Sequence, residues 1–90
     1  MASFFENLDP DTAEEIDQLS RLVYELRENR NTVLKIHGAA DEAALLQRIQ
    51  RGAVAEHPAY EHYLAARILA DTRETVRAVL AERLTEANNK

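Results

Sequence analysis

Residues 9–38 read DPDTAEEIDQLSRLVYELRENRNTVLKIHG, and the spacing of apolar side chains within this stretch decides the fold class. Ile16, Leu19, Val23, Leu26 and Val33 recur at alternating threes and fours, with one polar slot at Arg30, and Leu22 and Ile36 widen the stripe. That is the period of an α-helix, since a strand would alternate in twos. The ends of the stretch are marked as well. Asp9 supplies an oxygen for a free helix N–H, and Pro10 suits the first helical position, where its missing N–H costs nothing. Glu14 and Glu15 favour the positive end of the helix dipole. Gly38 supplies the stop, because it adopts the left-handed conformation that closes a helix. The spacing therefore predicts a helix over about 10–37, roughly 40 Å long at 1.5 Å per residue. Asn29-Arg30-Asn31-Thr32 has poor helix propensity, so a kink or local loosening is expected there.

Outward from this helix, Asp41 opens a second, short one over about 41–51, anchored by Leu45, Leu46 and Ile49 and ended by Gly52. Pro58, with His57 beside it at the cap, starts a third over about 58–86. Leu64, Ile68, Thr72, Val76 and Val79 are expected to face inward on it, with Leu69, Leu80 and Leu84 on the shoulder. A short bridge cannot carry the chain back along a 40 Å rod, so the long helices must run antiparallel with the short one as a lid. The charges agree: Asp11, Glu14, Glu15 and Asp17 crowd the beginning, while Arg73, Arg77 and Arg83 lie towards the end. The expected fold is all-α: one domain over residues 1–90, an antiparallel hairpin of two long helices bridged by one short helix, dimerising into a four-helix bundle.

Dimerisation is expected because two helices side by side hide only one seam, and both long helices are apolar over a wider arc than one neighbour covers. A second copy, or another protein, would cover the excess through Leu19, Leu22, Val23, Leu26, Val33, Leu69, Val76 and Leu80. Ninety residues is also short for a self-sufficient core, and the absence of cysteine excludes disulfide staples and thiolate metal sites.

Composition narrows the function classes. At 46% hydrophobic and 30% charged, the chain is too apolar for disorder and too charged for a membrane span. A net charge of −5 with dispersed Lys and Arg argues against nucleic acid as a partner. Met1-Ala2-Ser3-Phe4-Phe5-Glu6 lacks the basic flank and long apolar stretch of a signal peptide, so a cytoplasmic setting is expected. Richness in alanine, and in arginine over lysine, points to GC-rich bacterial coding, a matter of codons and not of function.

Few residues carry possible chemistry. His57 and Glu61 lie four apart and share a helix face, and with His62 they form the one candidate metal cluster. The structural alternative is a polar helix start flanked by Tyr60 and Tyr63. Arg30 could hold an anion or pair with a carboxylate, or snorkel to the rim with its stem packed, which is the reading adopted here. Ile16-Asp17 with Arg30 fourteen residues after Ile16 resembles the all-helical chorismate mutases over about one helix. That resemblance implies a dicarboxylate held by cationic side chains. The pattern departs from it at Ala13 and Asp41, where cations belong, and no late glutamine follows, so the assignment is rejected. Phe4 and Phe5 are expected to staple the start of the first helix. The arginines of the third helix, interleaved with Asp71, Glu74 and Glu82, read as a solvated face. No Ser-His-Asp arrangement or glycine-rich phosphate loop is present. The sequence thus points to a non-enzymatic, dimeric helical interaction or regulatory module needing no cofactor. The alternative is a small-ligand or metal-binding bundle using His57, Glu61 and His62.

Overall fold

A computed structural model describes residues 9–88, and every regular element among them is a helix: α1 Pro10–Ile36, α2 Glu42–Gln50 and α3 Glu56–Asn88. Phe4 and Phe5 lie outside the described residues. The caps form where the side chains dictate. The Asp9 carboxylate accepts the backbone N–H groups of Asp11 and Thr12 at 2.9 and 3.3 Å, and Pro10 follows in the first turn. At the far end the N–H groups of His37 and Ala39 both donate to the Leu34 carbonyl, around Gly38 at φ +65°. The expected loosening at Asn29–Thr32 does not occur. α1 is continuous there, and the Thr32 hydroxyl donates back to the Glu28 carbonyl. Weak propensity is overridden by tertiary ties on this segment, above all at Arg30.

α2 is capped by Asp41, whose side chain accepts the Ala44 N–H at 2.8 Å. Its Leu45 is fully buried, and α2 lies chiefly on α3. In α3, His57 keeps an extended backbone (φ −113°, ψ 117°), so the regular helix starts at Pro58. Two contacts set the direction of the long helices. Glu15 near the start of α1 meets Arg83 near the end of α3 at 2.5 Å, and His37 at the end of α1 meets His62 near the start of α3 at 2.7 Å. The helices are antiparallel, and the molecule is a rod of 55 × 20 × 16 Å, two helices across.

The core sits at the bend. Leu34, Ala39, Leu45, Ala59 and Ala66 are buried together, with Val33, Ala44, Ile49, Val54 and Tyr63 packed against them. Ile16 is the one other buried hydrophobe among the described residues, far down the rod. The expected orientation of α3 needs correction. Leu64 and Ile68 are 40% and 65% exposed, and Thr72 is exposed too. Of the expected row Val76 does face inward, with Ala59, His62, Ala66, Leu69, Arg73 and Leu80, all buried or half-buried. Alanines at the bend let α2 and α1 approach α3 closely, which a row led by Leu64 and Ile68 would prevent. Among the described residues, no helix is long and apolar enough to cross a membrane.

Candidate functional site

Each long helix carries a second apolar seam beside the one that pairs them. On α1, Glu15, Leu19, Leu22, Leu26 and Val33 recur at helical spacing and share one flank. On α3, Ala65, Thr72, Val79 and Arg83 do the same, at the edge of the inward row's Leu69 and Val76. The Glu15–Arg83 pair joins these two flanks, so they lie on the same side of the hairpin. Between that ion pair and the bend runs an apolar strip, interrupted only by Asn29 and Thr72. Its side chains are half-buried, and Leu22 is exposed. The opposite side differs. There Arg27 stacks over Tyr24, Arg67 over Tyr63, and Arg77 bonds Glu74 at 3.3 Å. The strip is thus partly exposed and apolar, and these contacts on the other side are of arginines with aromatic rings and a carboxylate. Along the back of α3, Tyr60, Leu64 and Ile68 add an exposed row at steps of four.

Of the residues expected at an interface, Leu19, Leu22, Leu26 and Val33 thus fall on this strip. Val23, Leu69, Val76 and Leu80 belong by their spacing to the row between α1 and α3, Leu69 and Val76 at its edge with the strip.

Arg30 does not snorkel. It forks onto the Glu42 carboxylate through Nε at 2.6 Å and Nη2 at 2.5 Å, with the two side chains 24% and 18% exposed. The hydrogen bonds from Arg30 hold the Glu42 carboxyl below its usual range, and the same bonds raise the arginine further. Placing Glu42 in the first turn of α2 adds the helix dipole to this tie. Arg73, expected on a solvated face, lies in the inward row of α3, with its Nε buried and unbonded.

The histidine cluster divides. His57 Nδ1 meets Glu61 Oε1 at 2.6 Å in a pair open to solvent, the His57 side chain being 87% exposed. His62, five residues on, faces elsewhere and meets His37, with ring centroids 5.0 Å apart. Among the described residues, no group of three or more His, Cys, Asp or Glu side chains converges as a metal cage. Burial pushes the pKa of His37 down, and the neighbouring His62 and Arg48 add to this. Sequence reasoning missed the pairing of His37 with His62. The available signal was a histidine at each side of the bend, at the stop of one long helix and the start of the other.

Residues 14–88 match the sequence profile described as the Uncharacterized protein MJ0235 family. Comparison with curated proteins and with solved structures gave no match.

Proposed function

We propose that the chain, which belongs to the Uncharacterized protein MJ0235 family, is a non-enzymatic helical interaction module that acts as a homodimer in the cytoplasm. The carrying observation is the partly exposed apolar strip on one side of the hairpin. Packing the strips of two copies face to face would make a four-helix bundle with the opposite sides outward. Surface area supports the reading. The chain exposes 6393 Å², against about 5,300 Å² for a compact monomer of its mass. The excess exceeds the roughly 800 Å² that each partner contributes to a standard interface. The side opposite the strip also leaves the dimer a surface on which to meet other proteins.

Sedimentation of the wild-type chain is expected to give twice the monomer mass at micromolar concentration. Leu22→Glu with Val79→Glu should give a helical monomer, because both sites lie on the strip, outside the row that pairs α1 with α3, and neither is fully buried. A wild-type chain that stays monomeric across the micromolar range overturns the homodimer.

A further inference from the structure

We propose that His37 and His62 form a two-imidazole chelating site for a divalent cation of the zinc, nickel or copper class, clipping the end of α1 to α3. The ligand atoms come from two elements and already converge, with His37 Nε2 and His62 Nδ1 2.7 Å apart. Imidazole nitrogens are the side-chain donors that these cations favour. Metal–nitrogen bonds of about 2.0–2.1 Å in a tetrahedral arrangement place two donors about 3.3 Å apart. The rings must therefore part by little more than half an ångström. Their backbones are well anchored for it. Leu34, one turn before His37, and Ala59 and Ala66, on either side of His62, are all fully buried. This differs from the exposed His57–Glu61 pair, which joins the extended residue before α3's regular helix to its first turn.

In such a contact one ring donates its N–H to the lone pair of the other. For a cation to bind both nitrogens, that proton moves through water to the outer nitrogen of the same ring, which frees both facing lone pairs for the metal. Both rings are half-exposed, so water can complete the coordination sphere. Arg48 of α2 acts electrostatically on His37 and opposes a cation. It weakens the site without occupying it, since the facing nitrogens contact each other.

The test is thermal melting at pH 7.5 with zinc(II) or nickel(II), together with imidazole nitrogen resonances during zinc titration. The melting temperature should rise with metal by mass action. The rise should vanish in His37→Gln and in His62→Gln, and persist in His57→Gln. Zinc should shift the ring signals of His37 and His62 in the wild-type chain, a readout that stands even if either variant folds poorly. An unmoved melt with unmoved rings overturns the site. So does a metal response that His57→Gln alone abolishes.

Discussion

Arg30 fills the polar slot of an otherwise apolar row, and what fixes its role is a carboxylate twelve residues away on a different helix. Removing one partner leaves the other half-buried and unpaired, which costs more than the pair contributes. Glu42→Gln is expected to destabilise the chain by about 1–3 kcal/mol, measured as a lower urea midpoint. Arg30→Met combined with Glu42→Leu should recover most of that loss. The ionisable groups give the pH dependence a definite sign. His37 has a depressed pKa when folded, so its stabilisation is complete above the unfolded value of about 6.5 and is lost as pH falls through the folded one. Glu42, also depressed, acts the same way in the carboxylate range. Melting temperature should fall from pH 7.5 to 5.5 and again on further acidification, and His37→Gln should flatten the first step. Arg30 was legible as a site because it breaks a pattern. Glu42 was not, because a row on one helix carries no information about where the next helix begins to point. For the same reason the sequence suggested a His57–Glu61–His62 cluster. The extended backbone at His57 takes it off the helix that carries Glu61 and His62, and only the tertiary bend supplies His37.

At the level of elements, α2 does more than cover the hairpin end, because Leu45 belongs to the buried cluster at the bend. Leu45→Ala should cost about 2–5 kcal/mol, which in a protein this small would leave little of the native state at 37 °C by circular dichroism. The helix ends were legible, since Asp9, Asp41, Gly38 and Gly52 are local signals that act through local hydrogen bonds. The rotation of α3 about its axis was not. Its apolar residues reach nearly all round the helix, from Leu69 and Val76 to Leu64 and Ile68, so periodicity admits several inward rows. The choice is made by shape: buried Ala59 and Ala66 allow close approach, and Arg83 and His62 meet partners at opposite ends. Small residues contribute little to a hydrophobic pattern and much to a contact, which is why the pattern misdirects here.

As a whole the molecule is a rod, with a radius of gyration of 17.8 Å where a compact chain of this length would have about 12 Å. Two such rods packed side by side at an interaxial separation of about 10 Å would raise that value only to about 18–19 Å. An end-to-end pair would exceed about 30 Å on the same geometry. X-ray scattering at the concentration where mass doubles should therefore give a radius below about 20 Å. The position of the core has a consequence in time as well as in space. Because Leu34, Ala39, Leu45, Ala59 and Ala66 all lie around the bend, the shortest loops in the chain close the best-packed part of it, and loop closure is what sets the pace of early folding. Folding would then begin at the bend and zip towards Pro10 and Asn88, with the Glu15–Arg83 clasp made last. Backbone amides around Leu34 to Ala66 would exchange slowest with heavy water, and those beyond Val79 fastest.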